Sequence, residues 1–244
     1  MKKLIILSMI TAMVSFQAFA QTEDNSKPMV IEVTFILPER GMEEKFEEAV
    51  KAHNEKYHPS GPYFGWLHKI EYGKKAGWYY WVMGPTSYGS LDTKPGKENG
   101  HDDDWKNTVD PLIQEYGPII LREFNTSLSF GLDIVKRSKH YEVWGVYLKP
   151  DQDFRLREIA RKLKRVYEKI GDTGFLVFEN KLPRAGWPDV ELIWSFDSFD
   201  DWQNDPGPKA TFEEIYGEGS WQELVEEWKD IVADYSTEIR SVIN

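Results

Sequence analysis

KKAGWYYW at Lys74–Trp81 and PRAGWPDV at Pro183–Val190 each carry Ala-Gly-Trp behind a basic residue, and the two tryptophans, at 78 and 187, stand 109 positions apart. The flanking sequence keeps the same step. Alternating strand patterns occur early in each half, VIEVTFILP at Val30–Pro38 and YEVWGVYLKP at Tyr141–Pro150. Each is followed by one apolar helix face. Phe46, Ala49, Val50, His53 and Tyr57 fall at helical spacing, and a shift of 110 gives Leu156, Ile159, Ala160, Leu163 and Tyr167. Two further strand patterns follow in each half, YFGWLHKIEY and GWYYWVMG, then GFLVFENKL and DVELIWSF. The segments GKKAG and PRAG between them are hairpin connections, so the repeated tripeptide marks one turn in two copies of one unit.

A second helix is expected over Trp105–Tyr116, interrupted by Pro111, and its counterpart carries Trp221, Leu224, Val225, Trp228, Ile231 and Val232 on one face. FNTSLSFGL and YSTEIRSVI then read as closing strands, with Phe124 and Tyr235 standing 111 apart, as do Thr126 and Thr237. The chain is thus two tandem β-α-β-β-α-β units of about 110 residues, at 29–138 and 139–244, an α+β organisation. The first twenty residues read as a cleavable export signal. Lys2 and Lys3 precede an apolar run over Leu4–Phe16, and Ala18-Phe19-Ala20 forms a small-x-small site; residues 21–28 are then a linker. That run is too short to span a bilayer, so a periplasmic or secreted chain with no membrane insertion is expected.

Without the leader the chain holds 28 basic and 41 acidic residues, a net charge of −13, which disfavours nucleic acid and anionic lipid as partners. The absence of cysteine removes disulfides, thiolate nucleophiles and thiolate-held metals. Ten Trp, twelve Tyr and thirteen Phe call for a large core. The tandem ferredoxin-like units resemble the dimeric α+β barrel superfamily, here fused into one chain as an intramolecular pseudo-dimer. The apolar character of both faces of the first strand supports a barrel, since an open sheet with a wet face would alternate with polar residues. The resemblance covers nearly all of the chain after the leader, as topology and repeat without a family motif. It implies two sheets face to face under outer helices, and relatives that include monooxygenases and chlorite-dismutase-like haem proteins; fold alone does not choose among them.

The chemistry-bearing residues are few. His68 shares a strand face with Phe64, Trp66, Ile70 and Tyr72, and is a candidate general base or haem ligand beside an aromatic pocket. Glu32 and Thr34 point away from Ile31, Val33 and Phe35, and a buried Glu32 would be a second candidate base. Trp66, His68, Tyr79, Trp81 and Thr34 are the candidate ligand-binding set. His53 takes a helix-face position that is Leu163 in the other copy, and reads as a buried neutral imidazole. NGHDDDW at Asn99–Trp105 invites a metal, but three adjacent aspartates at a helix start are better helix-capping residues, so no metal is assigned. The Asp151–Ile170 helix carries Arg155, Arg157, Arg161, Lys162, Lys164, Arg165 and Lys169, a solvated face paired with Glu158 and Glu168 or a docking surface. The expectation is an exported protein, a monomeric pseudo-dimer or low-order homo-oligomer, that binds a small apolar or aromatic ligand without a cofactor. The alternatives are a cofactor-independent monooxygenase-like enzyme and an interaction module using the 151–170 helix.

Overall fold

The computed structural model describes residues 29–182 and 186–243, so the leader, the linker and Pro183–Ala185 lie outside the described residues. The first half comprises β1 (Met29–Pro38), α1 (Glu43–Tyr57), β2 (Gly65–Tyr72), β3 (Tyr79–Thr86), α2 (His101–Thr108), β4 (Ile113–Phe124) and the short α3 (Leu132–Val135). The second comprises β5 (His140–Leu148), α4 (Asp153–Ile170), β6 (Phe175–Asn180), β7 (Val190–Phe196), α5 (Phe199–Asn204), α6 (Lys209–Tyr216), α7 (Ser220–Ile231) and β8 (Val232–Ile243). The strands close into one antiparallel barrel in the order β1-β3-β2-β8-β5-β7-β6-β4. Each half contributes the same local order, β4-β1-β3-β2 and β8-β5-β7-β6. The halves join through the β2–β8 and β4–β6 pairs, and closure leaves no sheet edge unpaired.

Side chains alternate across the strands and sort into two environments. Inside the barrel, Ile31, Val33, Phe35, Ile70, Tyr80, Val82, Ile120 and Phe124 of the first half meet Tyr141, Val143, Leu176 and Phe178 of the second. Outside, the first-half sheet is covered by α1 and the segment around α2, through Phe46, Val50, Tyr79, Trp81 and Met83. The second-half sheet is covered by α4, α6 and α7, through Leu156, Leu163, Phe212, Leu224 and Ile231. A buried charge cluster completes the interior. Arg122 Nη2 and Arg240 Nη2 both lie 2.9 Å from Glu191 Oε1, and the Arg240 guanidinium sits 3.8 Å over the Tyr80 ring. Burial works against a charged Glu191, but the two guanidiniums outweigh it and hold the carboxyl below its ordinary range.

The repeated tryptophans flank one lysine. Lys75 Nζ lies 4.4 Å from the centre of the Trp78 ring and 5.0 Å from that of Trp187, with Phe35 also at 5.0 Å. The two hairpins thus place equivalent indoles around a single ammonium against the interior packing.

The second helical segment of the first half differs from the sequence expectation. The helix starts at His101 and ends at Thr108; Pro111 lies in a 3-10 turn over Asp110–Leu112, and Ile113–Phe124 is already strand. The closing strand is therefore IQEYGPIILREF, not the segment after Phe124. Its counterpart β8 starts at Val232 against Ile113, an offset of 119 rather than 111. The longer step arises because the second half inserts α5 and α6 where the first has 3-10 turns at Tyr88–Thr93 and Lys97–Asn99.

Candidate metal centre

Three of the five histidines converge on the outer face of the first-half sheet: one ring nitrogen from each of His53, His58 and His101 lies within 4.8 Å of the others. Local structure explains how a 53/58 spacing can work. His53 lies on the inner face of α1. The helix ends at Tyr57, because the residue before Pro59 is disfavoured in the helical region, and His58 turns out of it with its backbone N–H on Asn54 O at 2.8 Å. The turn brings His58 over the start of β2, where Gly65 leaves the space. A Cβ on Gly65 would stand 3.0 Å from His58 Cβ and 3.1 Å from Asn54 Oδ1. His101 opens α2 behind Gly100, whose φ of +79° suits glycine and whose carbonyl accepts from Tyr57 OH at 3.0 Å. Gly100 is the N-cap and no side chain caps this helix. The three aspartates, 102 to 104, sit in its first turn, where they complement the dipole, and two of them bind histidines.

The hydrogen bonds fix the protons. His58 Nδ1 is 2.7 Å from the Tyr63 carbonyl oxygen, which can only accept, so Nδ1 carries the hydrogen. His53 Nδ1 donates to Asp104 Oδ2 at 2.8 Å, and His101 Nδ1 to Asp102 Oδ1 at 3.0 Å. A neutral ring that carries its hydrogen on Nδ1 presents Nε2 as a bare lone pair. His53 Nε2 is buried and has no hydrogen-bond partner, while His58 Nε2 and His101 Nε2 stand 3.0 Å apart. Two lone pairs at that separation repel unless a positive charge lies between them. A proton is a poor candidate at His58, since burial takes its pKa down to about 4 against the bond to Tyr63. Burial also lowers His53, though Asp104 opposes it.

A divalent transition-metal ion fits this donor set. Imidazole nitrogens at about 2.0–2.1 Å from a tetrahedral zinc would be about 3.4 Å from one another, and each ring's remaining N–H is held by a carboxylate or carbonyl, as metal-bound histidines require. Three protein donors leave a coordination position for water or a small ligand. Tyr57 and Trp105 pack on His53 with centroids 4.9 Å away, and Trp81 packs on His58 at 5.3 Å. The walls lower the local dielectric, and the adjoining aspartates favour a cation. Lys56 tempers that field by pairing with Asp104 Oδ1 at 2.9 Å.

The residues singled out from sequence fall on two sides of the sheet. Trp66 and His68 face the barrel interior; Tyr79, Trp81, Thr34 and Glu32 face outward, so they form no single cleft. His68 is half-buried against Tyr141, with ring centroids 5.0 Å apart, and its buried Nδ1 has no partner. Burial, aided by Arg240, takes its pKa down to about 3, which makes it a weak proton acceptor at neutral pH. Glu32 is half-buried and held by Lys94 Nζ at 2.8 Å. Trp81 alone of the ligand set touches the histidine cluster, and its indole N–H donates to Asn54 Oδ1 at 3.1 Å. On α4, Arg155, Arg157, Arg161, Lys164 and Lys169 pair with acidic residues of the same chain, consistent with a solvated face. His58 carried no signal of its own, because i, i+5 is not a helical ligand spacing.

No protein-family model and no curated protein matches the sequence. Solved structures match in fold. A candidate monooxygenase from Fusobacterium nucleatum superposes with a TM-score of 0.55 at 12% identity, covering 90% of this chain and 94% of its own. An anthrone oxidase-like protein gives 0.53 at 12%, over 90% and 93%. A protein described as a chlorite dismutase candidate gives 0.53 at 9%, over 89% and 96%. At these identities the likeness establishes the architecture, and the chain is a fused α+β barrel of the kind these structures share.

Proposed function

We propose that the protein is an exported α+β barrel that binds a divalent transition-metal ion of the zinc class through His53, His58 and His101. One observation carries this reading: a ring nitrogen from each of the three histidines lies within 4.8 Å of the others, while each Nδ1 stands within hydrogen-bond distance of a carboxylate or carbonyl oxygen. A set made only of nitrogen donors suits zinc, copper or nickel more than magnesium or calcium, which take oxygen. A small ligand would enter on the ion's remaining position, which gives the expected ligand-binding role a chemical basis. Export rests on the leader pattern at residues 1–20, and a thiol-free site suits an oxidising compartment.

The test is calorimetric titration of zinc into chelator-stripped protein. One ion per chain is expected, with binding lost in His58→Ala and His101→Ala but kept in His140→Ala. Wild-type protein that takes up no zinc, or a His58→Ala variant that binds as the wild type does, overturns the proposal.

A second reading is monooxygenase-type chemistry inside the barrel. Its support is the naming of fold relatives, together with an unpartnered His68 Nδ1 beside Tyr80 and Tyr141. Oxygen uptake with an anthrone, abolished in His68→Ala and kept in His58→Ala, would favour it over the metal reading.

A further inference from the structure

A hollow of about 440 Å³ lies on the outside of the barrel at the β2–β8 seam, away from the histidine cluster. Its floor includes Thr237 and Ile239 of β8 and the end of β2, and α5 forms a wall. Ser198 caps that helix by accepting from Asp201 N, and the i, i+3 spacing puts Phe199 and Trp202 on one side of it, toward the hollow. Tyr72, Phe199 and Trp202 line the hollow while remaining 60%, 41% and 44% exposed, an unusual concentration of wet aromatic surface.

The charge in this hollow is specific. Glu142 is half-buried between two indoles: Trp144 Nε1 donates to Oε1 at 2.7 Å and Trp202 Nε1 to Oε2 at 2.8 Å. Both bonds orient the carboxylate, and neither neutralises it. Among the described residues no Lys, Arg or His side chain pairs with Glu142, whereas Glu238 at the same hollow is engaged by Arg240. An oriented, unneutralised carboxylate beside aromatic surfaces is the recognition chemistry of an organic cation. The carboxylate supplies the charge, and the rings supply cation–π attraction and cover for alkyl groups. The molecule already uses this chemistry internally, where Phe35, Trp78 and Trp187 surround the Lys75 ammonium.

We propose that this seam hollow is a binding site for a small organic cation, a quaternary ammonium or alkylated amine. Glu142 is the counter-charge, and Tyr72, Phe199 and Trp202 form the aromatic walls. A neutral saccharide is the competing occupant, since exposed aromatic rings also stack on sugars. Charge complementarity decides for the cation.

The experiment titrates choline, its neutral isostere 3,3-dimethylbutan-1-ol, and glucose into the purified protein, followed by tryptophan fluorescence and by NMR shifts of the indole N–H signals. A chelator is present throughout, so the result stands apart from the metal proposal. Choline is expected to bind at least about tenfold more tightly than the neutral isostere, the gain that roughly 1.4 kcal/mol of charge and cation–π attraction would give. Glu142→Gln should lose about that factor, and Tyr72→Ala, at an exposed position that leaves α5 intact, should weaken choline binding as well. Equal binding of choline and its isostere, preference for glucose, no saturation by choline, or an unchanged Glu142→Gln variant would each overturn the proposal.

Discussion

His68 offers a measurement of how completely the barrel excludes water. Its folded-state pKa is about 3, while an unfolded chain returns it to about 6.5. Above pH 6.5 the ring is neutral in both states and contributes no pH dependence. As pH falls below 6.5 the unfolded chain takes up a proton that the folded barrel refuses, so stability is lost progressively until about pH 3. At pH 5.0 the unfolded form gains a factor of about 30, which corresponds to about 2 kcal/mol. Burial opposes protonation of His68 most, Arg240 repels the charge and Glu191 attracts it, and the rings of Tyr80, Tyr141 and Trp66 pack around the imidazole.

The perturbation is His68→Met, which keeps an apolar side chain of similar reach without a titrating group. Urea unfolding of wild type and variant at pH 7.5 and at pH 5.0, followed by tryptophan fluorescence, gives four free energies. Titrating groups on the far side of the sheet, His58 among them, cancel in the double difference. The wild type should lose about 2 kcal/mol more than the variant between the two pH values. A double difference below about 0.5 kcal/mol would mean that the ring titrates near its solution value, and the dry-barrel argument would fall.

Removing the carboxylate that pins His53, as Asp104→Ala, should weaken zinc binding by about 10- to 100-fold while the fold survives, measured by competition with a chelating dye. Glu191→Gln leaves Arg122 buried without its counter-charge and Arg240 with Glu238 alone, and should cost about 3–5 kcal/mol in urea unfolding; a loss under 1 kcal/mol would show that the Arg122 guanidinium finds water. His53→Leu installs the residue of the equivalent position, Leu163, and removes a buried nitrogen that lacks a partner. Metal affinity should vanish while urea stability holds or rises by about 1–2 kcal/mol, and a large loss of stability would mean that His53 is chiefly a structural residue.

The barrel was legible because it rests on local patterns that occur twice. The Ala-Gly-Trp turns, the alternating strands and the helix faces each report periodicity, and the offset of about 110 ties them together. The pattern failed after Asn99. The expected second helix runs through Pro111 to Tyr116, but Ile113–Tyr116 is claimed by pairing with β1. The offset changed there because α5 and α6 add residues in one copy only. The candidate metal centre was half legible. His53 stood out against Leu163, and His101 sat in a stretch that invited a metal, but His58 joins them only through a helix terminus and a bend at Pro59. Tertiary proximity between a helix end and a helix start 43 residues later has no period to detect. The interior charge cluster escaped for a related reason: Arg122, Glu191 and Arg240 come from three strands that meet only on closure.

The asymmetry between the two halves follows from where the barrel places its shared and private parts. The interior packing draws on both copies, so a change there must be accommodated by strands from each. The outer covers share no residue: α1 and the α2 segment cover one sheet, and α4, α6 and α7 cover the other. A cover can therefore exchange apolar contacts for ligating groups without retuning the barrel. In the second half, Leu163 occupies the place of His53, and Ser220 opens α7 where His101 opens α2; Phe212, Tyr216 and Trp221 add apolar packing that the first half lacks. The first half has the thinner cover, with 3-10 turns in place of α5 and α6, and it is there that three imidazoles can converge close to solvent. Duplication leaves one copy as the stable wall and frees the other to carry chemistry, which is why, among the described residues, the candidate metal centre occurs in one half of a molecule whose fold is double.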